Sequence, residues 1–122
     1  MSTNYTTIEN ISHYSKILSE EDAVLIYYSH QACNVCKVLK PKIAELIHKE
    51  FPKIKLYYAD TRLTPEIAGQ NRVFTVPTIS IILGGREYIR KSRNISINEL
   101  SKEIDRGYHM MFKTGYEINY ES

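Results

Sequence analysis

The hydrophobic run at residues 23–28, Ala-Val-Leu-Ile-Tyr-Tyr, restricts the fold of this chain more than any other segment. Every residue in it is apolar or aromatic, and Val, Ile and Tyr favour strands. A strand this uniformly hydrophobic has no face suited to water, so it belongs in a sheet that is covered on both sides. The run therefore predicts a buried strand of the parallel type, with helices packed against it.

Hydrophobic periodicity predicts further helices and strands around that run. In chain order, the predicted elements are a helix at about 8–20, the strand at 23–28, a helix from 36 onward, a strand at 54–59, a short helix at about 65–71, a hairpin with strands at 77–83 and 87–91, and a last helix from 97. Strand–helix–strand units favour right-handed parallel crossovers, and the hairpin adds antiparallel strands. We expect residues 1–112 to form a three-layer α/β/α domain with a central mixed sheet, followed by a flexible tail at 113–122.

Capping residues mark where two of the predicted helices begin. Thr64 offers a hydroxyl cap directly before Pro65, and proline is favoured at the first helical position. Ser96 and Glu99 have the three-residue spacing of a capping box. Both signals place a helix start where the hydrophobic period also changes.

The helix that starts near Cys36 has one apolar face, which we expect to pack on the sheet. The residues of that face are Cys36, Leu39, Ile43, Leu46 and Ile47. The lysines of this helix fall mostly on its other faces: Lys37, Lys40, Lys42 and Lys49. Pro41 lies within the helix, where it should remove one backbone hydrogen bond and cause a kink.

The composition argues against several classes of protein. The 122-residue chain has a formal charge of +2 and no run of like charges, so we expect no nucleic-acid partner. Its apolar stretches are too short to cross a membrane, and the N-terminal residues lack the basic and apolar segments of a secretory signal. Two cysteines alone cannot form the disulfide framework of a small secreted domain. We therefore expect a cytoplasmic protein with no membrane contact.

Cys33 and Cys36 lie at the junction between the buried strand and the following helix. Three residues apart in a first helical turn, their Cα atoms should be about 5–6 Å apart, within reach of a disulfide. Unpaired backbone N–H groups and the helix dipole at this end favour a thiolate at Cys33, which makes it the nucleophile. Cys36 lies one turn deeper on the apolar face and is suited to resolve a mixed disulfide.

Two other interpretations of the cysteine pair are open at this point. The two residues could be buried neighbours with a purely structural role. They could also bind a metal with His30, because the three residues have regular spacing and zinc accepts both ligand types. A closed zinc site needs a fourth ligand, and the remaining histidines show no pairing motif, so we predict no metal at this site.

With these residues in place, the chain resembles the thioredoxin family over roughly residues 5–112. Members of that family carry Cys-x-x-Cys at the start of a kinked helix, with a lysine directly after the second cysteine and a proline five residues after it. An aspartate closes the next strand, and an apolar residue, a proline and often a threonine open the following strand, which leads into a hairpin. The residues that match this pattern are Cys33, Cys36, Lys37, Pro41, Asp60, Val76-Pro77-Thr78 and Gly84-Gly85.

The resemblance implies a thioredoxin fold and a thiol–disulfide oxidoreductase that reduces protein disulfides through Cys33 and Cys36. It also implies a cis peptide bond before Pro77, with Val76 offering backbone groups to an extended substrate segment. No dinucleotide-binding fingerprint occurs in the sequence, so we expect no cofactor and an external electron donor such as a thioredoxin reductase.

The sequence departs from the family pattern around Cys36. A buried aspartate that assists proton transfer at the second cysteine falls at Tyr27, and its accompanying lysine falls at Leu56. A glycine that borders the substrate groove is replaced by Arg93 or Asn94. These changes leave a second function open, a redox sensor or binding module that uses the groove without turnover. Basic residues such as Arg93 either border the groove and favour acidic substrates or are ordinary solvated charges.

Overall fold

A five-stranded mixed sheet forms the middle layer of the described residues, which are 5–112 of this computed structural model. The elements in chain order are β1 (Thr6–Thr7), α1 (Ile11–Glu20), β2 (Ala23–Ser29), α2 (Asn34–Glu50), β3 (Lys55–Asp60), α3 (Pro65–Gln70), β4 (Thr78–Leu83), β5 (Arg86–Ser92) and α4 (Ile97–Phe112).

The strands are arranged in the order β1-β3-β2-β4-β5. Strands β1 and β2 both pair in parallel with β3, whereas β4 runs antiparallel to β2 and to β5. Every side chain of β2 is buried, which confirms the prediction from its continuous hydrophobicity. Strand β5 has only β4 as a neighbour and forms one edge of the sheet.

Helices cover both faces of the sheet and complete the predicted α/β/α layers. Helices α2 and α4 pack on one face through residues such as Ile43 and Leu100. On the other face, Tyr14 of α1 and Ile67 of α3 belong to a separate apolar cluster. Because side chains alternate along β2, this strand contributes to both clusters, and its register fixes which residues reach each helical layer.

The first helix begins later than its periodicity predicts. Residues 6–8 are extended and pair with β3, and the Ile8 N–H donates to the Tyr58 carbonyl over 2.8 Å. Helix α1 starts only after Asn10, whose side chain accepts a hydrogen bond of 2.8 Å from the His13 N–H. Ile8 is buried here, and a buried helix face also needs apolar residues, so its hydrophobicity did not distinguish a strand from a helix.

The two predicted helix caps have different outcomes. The Glu99 N–H donates to the Ser96 hydroxyl over 3.3 Å at the start of α4, which is one of the two hydrogen bonds of a capping box. Thr64 precedes α3, but the prediction that its hydroxyl caps the helix is wrong. That hydroxyl instead donates to the Asp60 carbonyl over 2.9 Å and closes the turn after β3.

The hairpin between β4 and β5 turns at Gly84 and Gly85, as the sequence predicts. Both glycines have positive φ, a conformation that costs residues with a side chain much more. Helix α2 continues through Pro41. The tail predicted at 113–122 lies outside the described residues. None of the helices in residues 5–112 has the length and hydrophobicity needed to cross a bilayer.

Candidate active site

Cys33 and Cys36 lie where β2 leads into α2, at the carboxyl end of the central strand. They are joined by a disulfide, and their Cα atoms are 5.3 Å apart, within the range predicted from their spacing. Cys33 is the N-cap of α2 and is partly exposed, whereas Cys36 lies one turn into the helix with 1% of its surface exposed. The two sulfur atoms therefore differ in their access to another protein.

A backbone amide of the first turn of α2 contacts the sulfur of Cys33. The Cys36 N–H donates to Cys33 Sγ over 3.2 Å, and the first-turn amides of α2 lack carbonyl partners within the helix. The Cys33 N–H donates to the His30 carbonyl over 3.2 Å, which fixes the turn that leads into the helix. A thiolate formed at Cys33 on reduction would be stabilised by this amide and by the helix dipole.

The loop before β4 contains Val76 and Pro77, the residues that match the proline motif of the family pattern. The Val76–Pro77 peptide bond is cis, which the family resemblance implied. The Arg93 N–H donates to the Pro77 carbonyl over 2.8 Å, and the Thr78 hydroxyl donates to the Thr75 carbonyl over 2.7 Å. Val76 and Cys33 pack against the same apolar cluster, the one that contains Cys36. The two hydrogen bonds therefore fix the shape of the cis-proline loop, and Val76 connects it to the apolar cluster that contains Cys36.

Tyr27 occupies the position beneath Cys36 that an aspartate would hold. Its side chain is completely buried, and its hydroxyl donates to the Cys36 carbonyl over 2.8 Å. Burial raises the pKa of Tyr27 well above its ordinary value, so the phenol stays protonated at neutral pH. Tyr27 is therefore a core residue that supports the backbone of α2, and it is unsuited to accept the Cys36 proton.

Leu56 and Asp60 lie at two further positions that are polar in the family pattern, and neither can accept a proton from Cys36. Leu56 is buried on β3, paired in register with Leu25 of β2, so no ammonium is present there. The Asp60 carboxylate accepts the N–H groups of Arg62 and Leu63, at 2.9 and 3.1 Å, and so shapes the loop after β3. Neither Tyr27, Leu56 nor Asp60 offers a free base to Cys36.

A groove beside the cysteine pair runs between α2 and the loop before α4. It has a volume of about 560 Å³, and its lining residues are Val35, Val38, Leu39, Lys42, Arg93, Asn94, Ile95 and Ser96. Both charged residues in this lining are basic. Of the two candidates for the family's glycine position, Arg93 has the left-handed backbone, with φ of +64°. Its Nε donates to the Thr75 hydroxyl over 3.5 Å, next to the cis-proline loop.

Two other basic residues that could border the groove, Arg90 and Lys91, are engaged elsewhere. Arg90 pairs with Glu87 and donates to the carbonyls of Asn71 and Arg72. Lys91 pairs with Glu103 of α4 at 2.9 Å. Arg93 and Lys42 are therefore the charges that the groove presents.

Exposed apolar side chains gather at the same end of the sheet. Val35, Val38, Leu63 and Phe74 all lie in the first turns of α2 or in loops next to the ends of β2 and β3. Phe74 is 85% exposed, three residues before Pro77. Sequence analysis passed over Phe74, although an aromatic residue in a non-periodic segment before a proline was an available signal. Such a patch is typical of a protein-binding surface.

Metal binding, the alternative interpretation of the cysteine pair, requires a cluster of ligand residues. Within residues 5–112, no group of three His, Cys, Asp or Glu residues is placed to hold a metal ion. His30 accepts the Ala32 N–H at its Nδ1 over 3.2 Å, so this nitrogen orders the turn before Cys33.

Together the fold and the cysteine pair define a thioredoxin-fold thiol–disulfide oxidoreductase. The Thioredoxin family model matches residues 4–106, and the chain belongs to the thioredoxin family. It is 27% identical over 105 residues to the thioredoxin-like protein YdfQ of Bacillus subtilis, a match that covers 86% of this chain and 93% of that protein. It is also 30% identical over 91 residues to a thioredoxin of Chlorobaculum thiosulfatiphilum, covering 75% and 84% of the two chains.

A solved structure with the same fold is the oxidised form of mitochondrial thioredoxin 3 from Saccharomyces cerevisiae. It superposes on this chain with a TM-score of 0.71 at 21% identity, covering 88% of this chain and 97% of that one. This likeness supports the fold, and the assignment of chemistry depends on the family match and the cysteine pair.

Proposed function

We propose that this protein reduces disulfides of other proteins in the cytoplasm, with Cys33 as the attacking residue and Cys36 as the resolving residue. The Cys33 thiolate attacks a substrate disulfide, the S–S bond breaks, and one substrate sulfur leaves and takes a proton from water. Cys36 then loses its proton and attacks Cys33, which breaks the bond to the substrate. The dithiol supplies both electrons and ends as the Cys33–Cys36 disulfide.

The position of Cys33 carries this proposal. It is the partly exposed N-cap of α2, and its sulfur accepts the Cys36 N–H over 3.2 Å. A sulfur stabilised as a thiolate is a nucleophile at neutral pH and also a good leaving group. Cys36 is buried beside it, so a protein substrate would meet Cys33 first.

Val76 and Pro77 are proposed to form the substrate groove. A substrate segment in extended conformation would pair with backbone groups of Val76, as in strand addition. The exposed Val35 and Phe74 would cover apolar residues next to the substrate cysteine. The electron donor is proposed to be an external thioredoxin reductase, because the sequence has no dinucleotide-binding fingerprint.

Reduction of insulin by NADPH and a bacterial thioredoxin reductase tests the proposal. We expect turnover with the wild type, no turnover with Cys33→Ser, and a stable mixed disulfide with insulin for Cys36→Ser. The proposal fails if the wild type and Cys33→Ser are equally inactive. Fractionation of the native host cell tests the location, and the cytoplasmic assignment fails if the protein sediments with membranes or is released with the cell envelope.

The basic lining of the groove supports a preference for acidic substrate segments. Arg93 and Lys42 flank an apolar floor that includes Val35 and Ile95. We expect Arg93→Glu to raise KM for peptide disulfides with acidic flanks and to leave KM for neutral ones unchanged. Lys16→Glu on exposed α1 is the charge-matched control. Equal effects of Arg93→Glu on both peptides would contradict this preference.

A redox-dependent binding module is the second candidate, because Tyr27 and Leu56 provide no proton acceptor for Cys36. In that case Cys36 would resolve mixed disulfides too slowly for turnover. Negligible insulin reduction by the wild type, together with a stable complex that forms only with oxidised protein, would favour this function.

A further inference from the structure

A small cavity lies beside Cys36, on the opposite side of α2 from the groove that Val38 and Lys42 line. Its volume is about 180 Å³, and its lining residues are Ser29, His30, Gln31, Cys36, Lys37, Lys40 and Tyr58. A space of this size with polar walls is large enough to admit water. Cys36 is 1% exposed, and it is one of the residues that line this cavity.

Lys40 is placed one helical turn after Cys36, on the same side of α2. Residues four apart on a helix are neighbours, and long helical side chains lean back toward the N-terminus. The Lys40 side chain therefore leans toward the turn that holds Cys36. Lys37 also lines the cavity, but it follows Cys36 directly and is exposed.

Two tyrosine rings hold the Lys40 ammonium in this position. Nζ lies 4.0 Å from the centre of the Tyr58 ring and 5.0 Å from that of Tyr5. The Tyr5 hydroxyl donates to the Lys40 carbonyl over 2.8 Å, so Tyr5 fixes both ends of this residue. Contacts with ring faces favour the charged form of a lysine. Burial acts in the opposite direction and lowers the pKa of Lys40, so a neighbouring anion would stabilise this side chain.

We propose that the Lys40 ammonium is the charge partner of the Cys36 thiolate while the mixed disulfide is resolved. The thiol proton passes to water in the cavity, and the thiolate left behind is stabilised by Lys40. The thiolate then attacks Cys33, the bond from Cys33 to the substrate breaks, and the substrate thiolate takes a proton from solvent. This inference rests on the resolving role proposed for Cys36 above.

The other ionisable groups near the cavity are less suited to this role. His30 uses Nδ1 to accept the Ala32 N–H. Tyr27 donates to the Cys36 carbonyl, and burial raises the pKa of Tyr58, so both phenols stay neutral. The Asp60 carboxylate acts electrostatically on Tyr58, and as an anion it would oppose a thiolate.

Stopped-flow reaction of the reduced protein with dithiobis(nitrobenzoate) separates the two steps. Attack by Cys33 releases the first thionitrobenzoate, and attack by Cys36 on the mixed disulfide releases the second. We expect Lys40→Met to raise the pKa of Cys36 by about one unit or more. The second release at neutral pH then slows by about threefold to fourfold, because the smaller thiolate fraction is partly offset by greater nucleophilicity. The first release stays unchanged.

Two variants control for charge and packing. Lys40→Arg keeps the charge and should retain the second rate, and Lys49→Met removes an exposed charge from the far end of α2 without effect. The Cys36 pKa is measured from thiolate absorbance in the Cys33→Ser background, with and without Lys40→Met. The deficit of Lys40→Met should disappear at a pH above both Cys36 pKa values.

Three results would overturn the inference. They are an unchanged second rate in Lys40→Met, an unchanged Cys36 pKa, or an equal deficit in Lys40→Met and Lys40→Arg, which would indicate a packing role. If the wild type never releases the second thionitrobenzoate, the resolving role of Cys36 fails as well, and that outcome is distinct from the other three.

Discussion

The first turn of α2 and the region beneath it differ in the groups that surround their cysteine sulfur atoms. At Cys33, the stabilising groups are the backbone N–H of Cys36 and the dipole of the helix. Around Cys36, the groups are side chains: the Tyr27 phenol bonds its carbonyl, Leu56 is buried in the same apolar cluster, and Lys40 lines the same small cavity. Any sequence that starts a helix at this point supplies the first set, whereas the second depends on individual residues.

This difference explains which part of the family pattern is retained. The cysteine spacing and the cis-proline loop depend on backbone geometry, and both are present. The proton-handling groups around the second cysteine are side chains, and they have been replaced. The comparison predicts that attack by Cys33 tolerates change in the protein core, while resolution by Cys36 responds to it.

The largest expected effect separates the two cysteines. Cys36→Ser should keep the first attack but lower insulin turnover by on the order of a thousandfold or more, because an external thiol must replace an intramolecular one. Cys33→Ser should lose both steps. Release of thionitrobenzoate measures the attack, and NADPH consumption measures turnover. Attack at the wild-type rate in Cys33→Ser would show that Cys36 is the accessible nucleophile and would reverse the comparison.

Alkaline pH should destabilise the tyrosine-rich core. Burial raises the pKa of Tyr14, Tyr27 and Tyr28. In the unfolded chain these groups titrate near pH 10, so above that pH the folded state binds more protons and stability falls as pH rises. Each tyrosine should remove about 1.4 kcal/mol of unfolding free energy per pH unit above about pH 10. Urea unfolding at about pH 9 and pH 11 measures this, and equal stability at both would contradict it.

Tyr27→Phe should have a smaller effect, confined to stability. Loss of the hydrogen bond to the Cys36 carbonyl should lower the unfolding free energy by about 1 kcal/mol. The fall of the unfolding free energy above about pH 10 should also become less steep, by about 1.4 kcal/mol per pH unit, because one buried phenol is gone. The second thionitrobenzoate release should be unchanged, because the phenol is not the proton acceptor. A tenfold slower release, an order-of-magnitude threshold, would show that Tyr27 takes part in proton transfer.

The smallest expected effect concerns the groove. Arg93 has a left-handed backbone, which glycine adopts at lower cost, so Arg93→Gly should raise the unfolding free energy by about 0.5 kcal/mol. Arg72 has the same backbone region, with φ of +56°, and Arg72→Gly serves as the matched control away from the groove. A stability loss in Arg93→Gly alone would mean that the Arg93 side chain stabilises the cis-proline loop.

Much of the fold follows from local patterns in the sequence. The buried strand at 23–28, the cysteine pair at a helix start and the glycine hairpin each depend on residues close together in the chain. The same holds for the Ser96 hydroxyl, which caps the start of α4. Tyr27 was predicted to be a core residue, and it is buried.

What the sequence did not reveal depends on distant partners. Strand β1 exists because residues 6–8 pair with β3, about fifty residues away. The Thr64 hydroxyl is a local exception: it donates to the carbonyl of Asp60, four residues earlier, and the capping pattern did not show this contact. From the sequence, Lys40 was one of several lysines outside the apolar face of α2. Its contacts with the rings of Tyr5 and Tyr58 could not be predicted, because those tyrosines belong to other parts of the chain. Hydrophobic periodicity does not predict such contacts between elements.

The composition of edge strand β5 bears on how the protein avoids self-association. A protein proposed to bind extended segments by strand addition risks adding copies of itself at an open sheet edge. Four residues of β5 are charged, and lysine or arginine on an edge strand opposes pairing with another chain: Arg86, Glu87, Arg90 and Lys91. The edge at β1 is only two residues long. Both open edges of the sheet therefore oppose pairing between copies of the chain, which disfavours aggregation.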